Sequence, residues 1–190
     1  MKLSVPPTIP RRRFTVDEYY CMAEAGILHD DDRVELLDGE IIEMSAIGDK
    51  HFISVLRSNT IFSARLAGRA LVSVQSPVRL SSGSEPEPDI TLLRPRQDFY
   101  GTGKPGPEDV LLLIEVSDTT LVYDRDVKLP FYAAAGIPEV WIVDLNAARV
   151  LVYREPQDGA YRQTTVVARD GVLSPVAFPD LVLPVAEIVG

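Results

Sequence analysis

The run Val-Leu-Leu-Leu-Ile-Glu-Val at 110–116 constrains the fold of this chain most. Seven residues without apolar/polar alternation leave no face for water. Such a segment fits a central strand covered on both sides, as in an α/β sheet. The rest of the chain supplies the covers. Thr15 followed three residues later by Glu18 forms a capping-box pattern, and Gly26 offers a stop, so a helix is expected from Val16 to Ala25. In the segment 33–45, two apolar runs flank Asp38-Gly39, the signal of a two-residue hairpin. Asp49 is placed to cap a second helix ending near Gly68, with His51, Phe52, Val55, Leu56, Phe62 and Leu66 recurring as one buried face.

Strand patterns dominate from residue 70: one at 71–80, one opening after Asp89, the run at 110–116, and further strands at 139–145 and 149–155. Between them a helix is expected over 126–135, with Asp126 as its cap, Lys128 and Pro130 near its first turn, and Gly136 and Pro138 ending it. Short strands are expected to fill the tail as far as Ile188. The order predicts a single mixed α/β domain over 14–190, preceded by a flexible Pro-rich and Arg-rich arm over 1–13.

Composition narrows the function classes. Across 190 residues, 46% are hydrophobic, 19 are Lys or Arg and 28 are Asp or Glu, giving a net charge of −9. This is a folded acidic protein, not a coiled coil or a disordered chain. One cysteine, Cys21, excludes an internal disulfide framework, and two histidines, His29 and His51, disfavour a zinc site. No apolar run suits a bilayer span and 1–13 lacks a secretory core, so a cytoplasmic protein without a membrane partner is expected. Proteins that hold DNA by charge alone are basic. A nucleic-acid role for this chain therefore needs a local basic face, a divalent cation, or both. Neither GxGxxG nor GxxxxGK[ST] occurs.

Glu115 stands out because burying an unpaired carboxylate in a dry strand costs several kcal/mol. Either it lies at the exposed end of the strand beside an arginine, or it meets a cation, a metal or a raised pKa. Asp89 follows Pro88 at the start of another apolar strand; alone it reads as turn chemistry. Two carboxylates at the ends of neighbouring strands can converge on one hard cation, which takes oxygen ligands and keeps its waters. Lys128 in a first helical turn opposes the helix dipole unless something anionic faces it. Asp124 is placed to hold Lys128 at i+4. Glu139, Trp141, Tyr132 and Tyr19 read as structural.

Together, Glu35 in VELLDGEI, His51, Pro88-Asp89-Ile90, Ile114-Glu115-Val116-Ser117, Tyr123-Asp124-Arg125 with Lys128 and Tyr132, GIPEVWIVD and FPDLVLPVAEI resemble the Uma-two family. That family consists of restriction-endonuclease-like proteins of the PD-(D/E)xK nuclease superfamily, and the likeness spans about residues 14–188. The resemblance implies a restriction-endonuclease-like core: a mixed central β-sheet flanked by helices, with an N-terminal helix and hairpin. It implies that Asp89, Glu115 and Glu35 bind Mg²⁺ or Mn²⁺, that Asp89, Glu115 and Lys128 are catalytic, and that His51, Ser117 and Asp124 are accessory. Ser117 stands where the superfamily carries its lysine, two residues after the second acid; Lys128 from the following helix is the expected substitute. Ser117-Asp118-Thr119-Thr120 and Pro130 also depart from the family pattern.

The leading expectation is a Mg²⁺-dependent endonuclease hydrolysing DNA phosphodiesters, with Arg79 and Arg125 on the nucleic acid, helped by Arg11, Arg12, Arg13, Arg94 and Arg96. A homodimer would suit a two-stranded substrate. The alternative is a catalytically weak or inactive nuclease fold serving as a homodimeric interaction module, favoured by the charge of −9 and by Ser117. A carboxylate-pair glycosidase ranks last, for want of an aromatic sugar cleft.

Overall fold

The computed structural model describes residues 11–29 and 31–190; the first ten residues of the expected arm lie outside the described residues. The capping box forms as expected. Thr15 caps helix α1 (Val16–Glu24), its hydroxyl accepting from the Glu18 amide while the Glu18 carboxylate accepts from the Thr15 amide. Strands β1 (Val34–Leu37) and β2 (Glu40–Glu43) pair across Asp38-Gly39, whose φ values of 48° and 71° fit a type I′ turn. Arg11, Arg12 and Arg13 lie against this region, ion-paired to Glu40, to Glu18, and to Asp38 and Glu40.

The main sheet has six strands in the order β3-β4-β5-β6-β7-β8. These are β3 (Leu71–Val74), β4 (Ile90–Leu93), β5 (Val110–Ser117), β6 (Glu139–Asp144), β7 (Arg149–Gln157) and β8 (Ala160–Ala168). The apolar run is a central strand. β5 pairs antiparallel with β4 and parallel with β6, the one parallel pair in the sheet. A parallel pair needs a long crossover, and residues 121–134 supply it as a helix, α3, lying on one face of the sheet. Leu129, Tyr132 and Ile137 pack there on Leu113, Val140 and Ile142. Helix α2 (Asp49–Arg65) covers the other face, its Val55 and Phe62 meeting Ile114, Val116 and Trp141. There the Phe62 and Trp141 rings lie 6.3 Å apart. Each fully buried large apolar side chain adds roughly 1.5–3 kcal/mol, so the double cover is the main source of stability. No helix among the described residues is long and apolar enough to cross a membrane.

Four expectations are corrected. The strand placed at 71–80 ends at Val74, because Gln75 takes φ 44° and leaves the ladder. The tail ends in a helix, α4 (Val185–Val189), after the two-residue strands β9 (Val172–Leu173) and β10 (Leu183–Pro184). Phe52 and Leu56 do not join the buried face of α2; they are 57% and 51% exposed, because the helix overhangs the sheet at its N-terminal end.

The fourth concerns α3, placed at 126–135. It begins at Leu121 and is continuous: Leu121–Tyr123, a π turn at Asp124–Lys128, then Leu129–Ala134. The Leu129 amide donates to the Asp124 carbonyl, five residues back. Proline lacks an amide and its ring crowds the carbonyl four residues earlier. A widened turn just before Pro130 relieves that conflict, so the helix passes through instead of starting there. Lys128 is thus in mid-helix, not in a first turn, and the helix-dipole argument about it does not apply.

Candidate active site

The sheet register brings the two strand-end acids together. Ile90 pairs with Ile114, so one step further along the antiparallel pair Asp89 stands opposite Glu115. Residues opposite each other in an antiparallel pair share a face, and alternation from Leu113 puts both on the α3 side. The Val116 amide donates to Asp89 Oδ2 at 2.8 Å, which fixes that carboxylate at the mouth of the strands. His51, at the start of α2, meets Asp89 Oδ1 through Nε2 at 2.9 Å.

Lys128 reaches the same place from α3. Its ammonium lies 2.8 Å from Glu115 Oε1 and 3.2 Å from Glu35 Oε2, with the lysine and both acids 3% exposed or less. Glu35 arrives on the hairpin, which folds over the α3 face, and it is held from three sides. Lys128 and the Glu87 amide meet Oε2, and the Tyr123 hydroxyl donates to Oε1 at 2.8 Å. Tyr132, one turn beyond Lys128, donates its hydroxyl to Glu115 Oε1 at 2.5 Å. Asp124 does not hold Lys128 as the i+4 spacing suggested. Within the π turn its Oδ2 accepts from Ser117 Oγ and Thr120 Oγ1, both at 2.6 Å.

These groups surround one cavity of about 400 Å³, lined by Arg33, Glu35, His51, Asp89, Glu115 and Lys128, among others. Its electrostatics are lopsided. Glu35, Glu87, Asp89, Glu115 and Asp124 line it with a single buried ammonium. Burial pushes the Glu115 carboxyl up to about 8, with Asp124 and Asp89 adding to the rise and Lys128 opposing it. Burial also raises Asp124 and Glu87. Burial works against protonation of Lys128, but the charges of Glu115, Glu35 and Asp124 outweigh it and hold the amine cationic. For His51 likewise, Asp89 outweighs burial and the pKa rises.

A hard divalent cation fits this donor set. The donors are carboxylate oxygens at strand ends, with excess negative charge around them and no thiolate. Among the described residues no three His, Cys, Asp or Glu side chains form a closed ligand group. That disfavours an all-protein cage and agrees with the habit of Mg²⁺ to take one or two carboxylates and fill its other positions with water and phosphate oxygens.

Other candidates lie elsewhere. Arg79 bonds the buried Glu85 through Nε at 2.7 Å and approaches Asp17, and it does not line the cavity. Arg125 grips Asp126 at 2.7 and 2.8 Å and points away as well. Glu139 is structural as expected: it is wholly buried and satisfied by Arg154, Trp141 Nε1 and the Val176 amide. Four residues of the site escaped sequence reasoning: Arg33, Glu87, Tyr123 and Tyr132. Tyr132 carried a usable signal in its i+4 spacing from Lys128, whereas Glu87 in the acidic EPEPD stretch and Arg33 beside the hairpin carried none.

Comparison with known proteins bears on the whole chain. No curated protein matches it. A solved structure described as "a putative nuclease belonging to DUF820 from Anabaena variabilis ATCC 29413" superposes with a TM-score of 0.68 at 18% identity, covering 93% of this chain and 97% of that one. At that identity the likeness establishes the fold. The family model described as "Uma2: Putative restriction endonuclease" matches residues 16–186. The chain belongs to the Uma2 family.

Proposed function

We propose that this protein is a metal-dependent nuclease that hydrolyses DNA phosphodiester bonds at the cavity between β4, β5 and α3. The observation that carries the reading is the convergence of Asp89, Glu115 and the buried Lys128. It is supported by the description of the family and by that of the structural neighbour. Asp89 and Glu115 are the residues that would hold Mg²⁺ or Mn²⁺. Such an ion, when bound, supplies Lewis-acid charge at the phosphate and acidifies a bound water.

The remaining work falls to the protein's own groups. Lys128 stays protonated, so it acts as a charge and a hydrogen-bond donor toward phosphate oxygens, not as a general base. Glu35 has both oxygens engaged by Lys128, Tyr123 and the Glu87 amide. Its role is therefore to hold Lys128 in place beside the ion, more than to bind the ion itself. Tyr132 and the Ser117–Asp124–Thr120 cluster fix Glu115 and the π turn. His51 orients Asp89. Hydrolysis forms one P–O bond from water and breaks the bond to the leaving oxygen, which takes up a proton; no redox partner is needed.

The test is Mg²⁺- or Mn²⁺-dependent cleavage of single-stranded and duplex DNA by the wild-type chain. Loss of cleavage in Asp89→Ala and in Lys128→Met, with circular dichroism unchanged, is the expected result. Cleavage that survives Asp89→Ala overturns the assignment. The exposed Phe52, Ile53 and Leu56 on α2 favour the second reading, a homodimeric interaction module. Metal binding without cleavage, together with a dimer by sedimentation, would establish it.

A further inference from the structure

The reactive groups lie at the bottom of a recess. Glu115 and Lys128 are almost wholly buried, and the Asp89 side chain is 14% exposed. A scissile phosphate has to descend into a cavity of about 400 Å³ to meet them. Duplex phosphates ride on a stiff, convex surface, with a persistence length of about 150 base pairs. A protein that lays such a surface across itself uses many free cations, and a grip of 6–10 phosphates is typical.

This chain lacks that face. Arg11, Arg12, Arg13, Arg79, Arg96 and Arg125 each pair with a carboxylate of the protein itself, at 3.4 Å or less. The net charge is −9. Arg33 differs: it is exposed and lines the cavity. Its NH1 donates to the Ser45 carbonyl at 2.9 Å, and among the described residues its guanidinium makes no ion pair. The adjoining wall, Ile42, Met44, Ala46 and Ile47, gives a base an apolar surface.

We propose that the site takes a single-stranded or frayed nucleic-acid end, gripped through a backbone phosphate by Arg33, in preference to a continuous duplex. A flexible strand can bend into the recess, and a bidentate guanidinium fork suits a phosphate. The inference rests on the nuclease reading and names the substrate class for the same site.

The experiment compares a fluorescent 20-nucleotide single strand, the matching blunt duplex, and a relaxed covalently closed duplex, with the full chain. Binding is read in Ca²⁺ and cleavage in Mg²⁺. Expected are at least tenfold tighter binding and faster cleavage of the single strand, and no cleavage of the closed duplex. A single-strand slope of log K against log[salt] of about −1 to −2 is expected, at about −0.7 per phosphate contact. Arg33→Gln should lose about tenfold in affinity and about 0.7 of that slope, while Mg²⁺ affinity by calorimetry stays the same. Equal handling of closed duplex and single strand, with cleavage still abolished in Asp89→Ala, overturns this inference and leaves the nuclease reading standing. So does an Arg33→Gln variant with unchanged affinity and slope. Failure of the wild type to bind or cleave any of the three substrates overturns both.

Discussion

Lys128→Met tests the electrostatic centre of the molecule without reference to any substrate. Methionine keeps much of the length of the side chain and removes only the ammonium, 2.8 Å from Glu115 and 3.2 Å from Glu35. Removing one partner of a buried ion pair typically costs about 3–5 kcal/mol, because the remaining charge stays buried without compensation. Here the cost depends on pH. At pH 5 Glu115, with its carboxyl pushed up to about 8, carries its proton in both proteins, so only the Glu35 contact is lost. At pH 9 Glu115 is ionised in the wild type and stabilised by Lys128; the variant either buries a bare carboxylate or takes up a proton against the gradient. The expected loss is therefore about 3–5 kcal/mol at pH 9 and about half of that at pH 5. Urea denaturation at the two pH values, with two-state fits, measures it. Equal losses at both, or a loss below about 1 kcal/mol at pH 9, would refute the reasoning.

Three further outcomes are expected. Mg²⁺ affinity should rise with pH up to about 8 and then level off, since Glu115 must give up its proton to bind the ion. Calorimetry in buffers of different ionisation enthalpy should show close to one proton released near pH 6; a pH-independent affinity counts against Glu115 as a ligand. Gly39→Ala should lower stability by about 1–3 kcal/mol, because φ is +71° and a Cβ would meet the Phe14 backbone at 2.9 Å. Gly26→Ala, at φ +69° with open space around it, should cost visibly less in the same thermal melts. Arg154→Met should cost about 3–5 kcal/mol by leaving the buried Glu139 without its cation. Because Glu139 lies outside the cavity, Mg²⁺ affinity should not change; a lost affinity would tie that pair to the site.

Local chemistry determined a good deal of this protein from the sequence alone. The capping box at Thr15 and Glu18, the Asp38-Gly39 turn and the unbroken apolar run at 110–116 are each decided by neighbours a few residues apart, and each appears where expected. The two odd carboxylates, Asp89 and Glu115, were legible for the same reason: a charge at the mouth of an apolar strand is anomalous in its own short window. Tertiary structure decided the rest. Whether Lys128 reaches Glu115 depends on a π turn created by Pro130 and on a hairpin that carries Glu35 across the α3 face from 93 residues away in sequence. Likewise, which arginines remain available to a ligand depends on which carboxylates fold against them. Hydrogen-bonding patterns and turns follow from adjacent residues, whereas the pairing of buried charges is settled only when distant segments exclude water together, and that is where the chemistry of this molecule lies.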